Sequence, residues 1–404
     1  MRVLLIAPFY DRNIPGESWS TYKWVQGISE LCDTTILTTH RRGWSRETSP
    51  VRSNEIVDWV NPQLPARLGR LNRELKPTYF LFYMQARRWL KAQIQRGRTF
   101  DIIHQINPLA LRYPCPARGL GLSYIIGPLA GSLETPAGFR HEARESLWYR
   151  RLRVFDRLRL RYDPWLRSSY RGAKAILGVA PYVGELLALA GCRRFILESE
   201  TGIETVSAHP KVPNFPGKPM RVLFVGRIIR TKGILDAIRA VAKASKHCSL
   251  HLDVVGDGDL LDECQQEAKA LGVESEVCFH GRLPQEEVFR LYEASDVFLF
   301  PSFREPSGNV VFEAMSRGMP TITSDRGGPA YVVTEECGIK VSPDNPEQYV
   351  VNLAAAIESI FEDPVRYSAM SLAALNRMKV FAAWKRKIPH IVSLYGELLA
   401  GGES

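Results

Sequence analysis

The sequence predicts two doubly wound α/β domains, and three observations predict them. Short apolar runs bounded by turn signals recur along the chain and alternate with helix-length segments, the rhythm of parallel sheets. That pattern restarts once, after residues 208–219 (AHPKVPNFPGKP), where four prolines in twelve residues and no periodicity read as a linker. The length, 404 residues, also exceeds the ~250–300 residues that one core usually supports.

In the first half the pattern predicts strands at Val3–Ala7, Thr34–Thr38, Ile102–His104, Ser123–Ile126, Ala175–Gly178 and Phe195–Leu197. Helices are expected at Trp19–Leu31, Thr78–Gln95 and Val183–Ala190, with one long Arg-rich helix over Glu142–Arg171. The second half restarts with strands at Arg221–Val225, Leu250–Val255, Val277–His280, Val297–Phe300, Thr321–Thr323 and Ile339–Val341. Its helices are expected at Ile234–Lys246, Leu260–Leu271, Gln285–Ala294 and Val310–Arg317, and closing helices at Ser359–Met378 and Ala383–Leu399.

Composition narrows the function classes. With 45% apolar and 24% charged residues, disorder, collagen and coiled coil are excluded. The most apolar stretch, Ala175–Cys192, is broken by Pro181 and Glu185, short of the ~20 residues of a spanning helix. The N-terminal apolar run is interrupted by Pro8 and meets Asp11 and Arg12, so it reads as a buried first strand and not as a secretory segment. Seven scattered cysteines without a C-x-x-C pair point to a reducing cytoplasm and to no zinc site. The eight histidines do not cluster in sequence, and no metal is expected. Charge is uneven: residues 1–200 carry 31 Lys and Arg against 17 Asp and Glu, residues 201–404 carry 22 against 26. A basic half joined to a mildly acidic one suggests two domains with different partners.

The chemistry concentrates in the second half. In residues 300–329 (FPSFREPSGNVVFEAMSRGMPTITSDRGGP) a buried strand runs into a loop holding Glu305 and Gly308, and a helix begins near Asn309 with Glu313 one turn in. Open α/β sheets bind ligands at the carboxyl ends of their strands, and a helix N-terminus favours phosphate. Two carboxylates there suit hydroxyl groups instead, because an ionised carboxylate only accepts hydrogen bonds. A ligand with both phosphate and polyhydroxylated rings, a nucleotide sugar, fits. A second loop, FVGRIIRTKG, places Arg227 and Lys232 at the same sheet edge, where fixed cations can take up the charge of a departing diphosphate. Asp257-Gly258-Asp259 follows a strand and opens a helix, so it reads as an N-cap and not as a D-x-D metal site. The same stretch lacks the third glycine of a dinucleotide fingerprint, which disfavours a dehydrogenase.

Glu305 and Glu313 spaced E-x7-E, GRIIRTKG before them, VVGDGD at Val254–Asp259 and GMPTITSDRGGP after them resemble the retaining glycosyltransferases of family four, with the GT-B fold. The resemblance covers most of residues 220–335; FAAWKRK at Phe381–Lys387 resembles the family's closing helix, and IIHQINP its histidine-containing strand end. It implies two Rossmann-like domains facing a cleft: residues 1–207 for the acceptor, a linker at 208–219, residues 220–380 for the donor, and residues 381–404 returning to the first domain. It implies a sugar moved with retention from a nucleoside diphosphate sugar, UDP or GDP favoured, to a hydroxyl acceptor, with no cofactor and no divalent metal. Arg227 and Lys232 would bind the diphosphate, Glu305 would face the donor sugar, and amides of Gly308, Asn309 and Val310 would contact sugar and phosphate. Glu313 would accept from the ribose, Arg282 and Leu283 would lie by the base, and Gly16 would approach the phosphate or sugar. This chain has one glycine, Gly16, where the family's first loop has a pair. It has Gly127–Gly131 where many members carry a catalytic-site histidine, for which His104 stands either as a substitute or as a satisfied strand-end residue.

Two rival readings are a nucleotide-sugar epimerase of the same fold and a non-catalytic basic nucleic-acid binder; no nucleic-acid motif supports the second, and no nucleic acid is expected as a partner. Arg140–Arg171 holds ten arginines against four acidic residues among leucines and aromatics, a composition that suits an anionic membrane surface or a solvated core helix. The expectation is a glycan or lipid-linked acceptor at the inner face of the membrane, in cell-surface polysaccharide or glycolipid assembly.

Overall fold

The structure, a computed structural model, describes residues 1–14, 16–41, 55–61, 76, 78–142, 155–215 and 217–400. The chain divides into two compact units: residues 1–132, 145–201 and 384–404 form the first, residues 133–144 and 202–383 the second.

The first unit is a seven-stranded parallel sheet in the order β3-β2-β1-β4-β5-β6-β7. Its strands are β1 (Arg2–Ile6), β2 (Asp33–Arg41), β3 (Glu55–Asn61), β4 (Ile102–Gln105), β5 (Tyr124–Leu129), β6 (Ala175–Gly178) and β7 (Phe195–Leu197). β1 is central, and Val3 pairs with Thr34 on one side and Ile102 on the other, which is why Val3–Ile6 are apolar and buried on both faces. Helices α1 (Glu17–Leu31), α2 (Tyr79–Gln95), α3 (Phe155–Tyr162), α4 (Pro164–Gly172) and α5 (Pro181–Ala188) connect them. Strand β3 has no counterpart in the sequence-based reading. Its residues alternate with charged and polar ones, and as an edge strand it leaves Ile56 and Val60 exposed, so no apolar run announces it.

The second unit holds six parallel strands in the order β10-β9-β8-β11-β12-β13. These are β8 (Met220–Val225), β9 (Leu250–Val255), β10 (Val277–Gly281), β11 (Val297–Phe300), β12 (Thr321–Ser324) and β13 (Gly338–Val341). Around them lie α6 (Ile234–Ala244), α7 (Leu261–Ala270), α8 (Gln285–Ala294), α9 (Asn309–Ser316), α10 (Gly327–Val332), α11 (Pro346–Glu362) and α12 (Pro364–Phe381). The chain then returns to the first unit as α13 (Trp384–Ala400), whose Ile388, Ile391 and Leu394 join Trp24 and Ile28 in that unit's core. Lys387 is buried there and donates to the carbonyls of Ser199 and Thr201, both at 2.6 Å, with Glu198 at 3.2 Å.

Three expectations are corrected. The long helix expected over Glu142–Arg171 is interrupted within its described part. Asp163 caps a new helix, α4, by accepting from the amides of Trp165 (2.9 Å) and Leu166 (3.3 Å), and Pro164 takes the first helical position, where no amide donor is needed. The same device splits the helix expected at Ser359–Met378 into α11 and α12: Asp363 accepts from Arg366 N at 2.9 Å and Pro364 follows it. The segment at 208–219, read as a linker, instead straps onto the second unit. Phe215 is buried against Phe361 and Tyr367, and Lys211 N donates to Ser371 Oγ at 2.7 Å. The second unit also takes residues 133–144 from within the expected first domain; Phe139 packs on Phe303 with ring centroids 4.4 Å apart.

Candidate active site

In each unit the strand order reverses direction at one place, between β1 and β4 in the first and between β8 and β11 in the second. Loops leaving the carboxyl ends of two such neighbours diverge to opposite faces and leave a crevice for ligand. Of the sequence-predicted donor residues of the second unit, Arg227, Lys232, Glu305 and Gly308 lie on the loops that leave β8 and β11, and Asn309, Val310 and Glu313 on helix α9, which follows the second loop.

After β8, a single 3₁₀ turn at Arg230–Lys232 sets the loop. Arg230, which the sequence reading did not single out, holds that turn. Its guanidinium donates to Asp236 (2.5 and 3.0 Å) and to Glu142 Oε2 (2.7 Å from Nε), and it lies over the rings of Phe139 and Phe303 at 5.3 and 5.2 Å. Asp236 is fully buried, so this ion pair is fixed by packing, and it aims the next cation, Lys232. Lys232 Nζ meets the carboxylate of Glu305 from the loop after β11 and lies 5.5 Å over the Phe300 ring. Both side chains are only 13% exposed. Arg227 is exposed and forms no ion pair among the described residues.

Glu305 is held from its other side by the start of α9. Its Oε1 accepts from Gly308 N (3.2 Å) and Ser307 N (3.4 Å). Gly327, which opens α10, is why this loop can sit so close. A Cβ there would stand 2.0 Å from the Glu305 carbonyl oxygen, and the residue's φ of +67° belongs to glycine. Asn309 opens α9, and its Oδ1 is shut off from solvent and has no hydrogen-bond partner among the described residues. An orphaned acceptor beside a helix N-terminus is a vacancy for a donor group, such as a sugar hydroxyl. Val310 follows, and its carbonyl accepts from Tyr292 Oη at 3.4 Å.

Glu313 lies one turn into α9, and its Oε2 accepts from Tyr292 Oη at 3.1 Å. Burial raises its pKa, with the Tyr292 bond and nearby Arg317 working against that rise. Tyr292, on α8, escaped the sequence reading because nothing in an amphipathic helix marks one tyrosine as a carboxylate's partner. Arg282, exposed, and Leu283, half-buried, follow β10, two strands from the crevice loops.

In the first unit Gly16 is the N-cap of α1, at φ +86°, and a Cβ there would meet open space. The adjacent Glu17 accepts from Leu109 N (3.1 Å) and pairs with Lys76, so it ties the loops after β1 and β4 together. His104, on β4, is fully buried. Its Nδ1 meets Tyr395 Oη at 2.6 Å and its Nε2 meets the Gly127 carbonyl at 2.7 Å. Since Gly127 O can only accept, Nε2 carries the proton and Nδ1 accepts from Tyr395. Burial lowers the ring's pKa to about 4, the Gly127 bond opposing it, so the imidazole is neutral at pH 7. Of the two readings of His104, this geometry is that of the satisfied strand-end residue: both nitrogens are engaged and no surface is open to a substrate.

Two side readings also change. Asp257 does not cap α7; it accepts from its neighbour Gly258 N at 2.7 Å, and the helix starts only at Leu261. The histidines do cluster in space: His251 and His280 converge on Asp253, whose oxygens are taken by His280 Nε2 and Arg221, both at 2.7 Å. Cys278 lies beside them. Burial pushes the Asp253 pKa up, and the bonds from His280 and Arg221 outweigh it and hold the carboxyl below its ordinary range.

Residues 206–377 match the family described as glycosyl transferases group 1. Among the curated relatives that align with the chain, two illustrate the match. An uncharacterized glycosyltransferase of Methanocaldococcus jannaschii is 35% identical over 143 residues, 35% of this chain and 36% of that protein. The lipopolysaccharide core biosynthesis glycosyltransferase LpsE of Rhizobium meliloti is 30% identical over 214 residues, 52% of this chain and 60% of the relative. The chain thus spans between about a third and three fifths of the length of these relatives. Among solved structures, sucrose-phosphate synthase from Thermosynechococcus elongatus superposes with a TM-score of 0.66 over 99% of this chain and all of that one, at 19% identity. The fold is GT-B. The family match lies within the second unit of the chain.

Proposed function

We propose that the protein is a retaining glycosyltransferase of family four that moves a sugar from a nucleoside diphosphate sugar to a hydroxyl acceptor. One observation carries the reading: at the switch point of the second sheet Lys232 is held against Glu305, Arg227 on the same loop forms no ion pair among the described residues, and the Asn309 acceptor has no partner among them. A diphosphate takes Lys232 from the carboxylate and adds Arg227. Glu305 is then released toward the donor sugar, while Glu313 accepts from the ribose. The two cations and the amides at the start of α9 supply the positive charge for the leaving diphosphate, so no divalent ion is required. Backbone amides of Gly308, Asn309 and Val310 contact sugar and phosphate, Arg282 and Leu283 lie by the base, and Gly16 approaches a phosphate or sugar.

For the acceptor we propose a glycan or lipid-linked intermediate of cell-surface polysaccharide or glycolipid assembly, met at an anionic membrane surface. A lipopolysaccharide core biosynthesis enzyme among the relatives supports this, as does the first unit's charge. Residues 143–154 of the Arg-rich segment lie outside the described residues; in the rest, Phe155, Leu158, Tyr162 and Trp165 are exposed among arginines. Among the described residues no helix is long and apolar enough to cross a membrane. The test is NMR of UDP- and GDP-sugars with a panel of glycan and lipid-linked acceptors, with and without EDTA. A new glycosidic bond of unchanged anomeric configuration, formed in EDTA, is expected. An inverted product, or activity lost in EDTA and restored by manganese, contradicts the corresponding part.

A further inference from the structure

We infer that Arg161, Arg167, Arg171 and Arg193 of the first unit form a binding pocket for a phosphate monoester or diphosphate. The four line one cavity of about 590 Å³, together with Tyr162 and Ser168. Arg161 ends α3, Arg167 and Arg171 stand one turn apart on α4, and Arg193 precedes β7.

Two of them are held in place by the backbone. Arg167 donates to the carbonyls of Arg161 at 2.5 Å and Leu189 at 3.0 Å. Arg171 lies against Gly191, where a Cβ would come within 2.7 Å of its Nε, so the glycine leaves room for the side chain. None of the four pairs with a carboxylate among the described residues. The nearest acid in sequence, Asp163, is already used: it caps α4 and pairs with Arg159 at 2.9 Å.

Four arginines around one concavity repel each other, and among the described residues no carboxylate pairs with any of them. Guanidinium forks match tetrahedral oxyanions bidentately, and a ligand bearing two or more negative charges engages several forks where a single carboxylate fills one. The rim indicates what carries the phosphate. Tyr162, which lines the pocket, is 67% exposed, and Trp165, next in sequence to the lining residue Pro164, is 47% exposed, an apolar element that suits a lipid-borne phosphate at a membrane surface. This deepens the acceptor half of the proposed function and rests on it for the phosphate's carrier; the binding of the anion does not.

Calorimetric titration of pyrophosphate into the full chain at low salt tests both cationic sites at once. Two sites are expected. The variant Arg171→Gln/Arg193→Gln removes one, weakening it about tenfold or more, and Arg227→Ala/Lys232→Ala removes the other. A control that loses the same charge from exposed positions of α2, Arg88→Gln/Lys91→Gln, leaves both. If the control weakens binding as much as Arg171→Gln/Arg193→Gln, or if the latter changes nothing, the pocket is overturned. If only Arg227→Ala/Lys232→Ala is silent, the donor reading fails and the pocket stands. Vesicles of phosphatidylcholine with phosphatidic acid, against phosphatidylserine at equal charge, identify the source. Selective loss of phosphatidic acid binding in Arg171→Gln/Arg193→Gln assigns a lipid phosphate. Pyrophosphate binding without vesicle binding assigns the same pocket to a soluble phosphate ester.

Discussion

At the switch point of the second sheet the polar groups keep valence to spare among the described residues: Lys232 meets Glu305, Arg227 forms no ion pair, and Asn309 Oδ1 has no hydrogen-bond partner. At the switch point of the first sheet His104 and Glu17 are spent on the protein itself, while Gln105 Nε2 at the end of β4 and Ser20 Oγ on α1 are buried with no hydrogen-bond partner among the described residues. His104 bridges Tyr395 and Gly127, and Glu17 joins Lys76 to Leu109. Both sheets run the same strand order through this point. Topology therefore provides the crevice in both units, and the side chains around it decide which groups the protein uses itself: a cation and a carboxylate meet in the second, a histidine and a carboxylate are tied into the scaffold in the first.

The sharpest way to break this contrast is to remove the cations of the second unit. Arg227→Ala and Lys232→Ala should each cost about 2–4 kcal/mol of transition-state stabilisation, read as kcat/KM for the donor, with the thermal midpoint almost unmoved. The mirror experiment in the first unit should do the reverse. His104→Ala leaves the Tyr395 hydroxyl and the Gly127 carbonyl buried without a partner, at about 1–3 kcal/mol each, and chemical denaturation should record that loss.

His104 also predicts a pH dependence. Its folded pKa, about 4, lies below the ordinary 6.5, so the unfolded chain binds the extra proton first on acidification. Stability should fall as pH drops from about 6.5 to about 4, by up to ~3 kcal/mol, and His104→Phe should flatten that limb. A profile unchanged by the substitution would contradict the buried neutral imidazole.

The smallest effect belongs to Glu313. Ribose contacts are the same in ground and transition states, so Glu313→Gln should raise the donor KM by about tenfold, near 1.4 kcal/mol, and spare kcat. Because burial raises this carboxyl's pKa, it takes up a proton at a pH above the ordinary carboxylate range. Donor affinity in the native chain should weaken as pH falls through that raised value, and the Gln variant should lose this acid limb.

How legible all this was depends on what each feature writes into the chain. Parallel central strands such as Val3–Ile6 and Val297–Phe300 are continuous apolar runs, and the second unit's site lies on short loops directly after such runs, so Arg227, Lys232, Glu305 and Glu313 could be placed by reading along the sequence. Edge strand β3 lacked that mark. Asp163-Pro164 and Asp363-Pro364 carried explicit helix-start signals, which the strong apolar periodicity around them masked. Partners distant in sequence were invisible: Tyr292 for Glu313, Tyr395 for His104, and Asp253 for His251 and His280.

The central claim is that Lys232 waits on Glu305 for a diphosphate, and binding of UDP and GDP to three forms of the chain tests it most directly. Calorimetry should show at least one of the two nucleotides binding the native chain. Binding should be tenfold or more weaker to Arg227→Ala/Lys232→Ala, and as tight or tighter to Glu305→Gln, where the lysine has lost its competing carboxylate. Equal affinity in the native chain and the doubly substituted one, or loss of nucleotide binding in Glu305→Gln, would contradict the account.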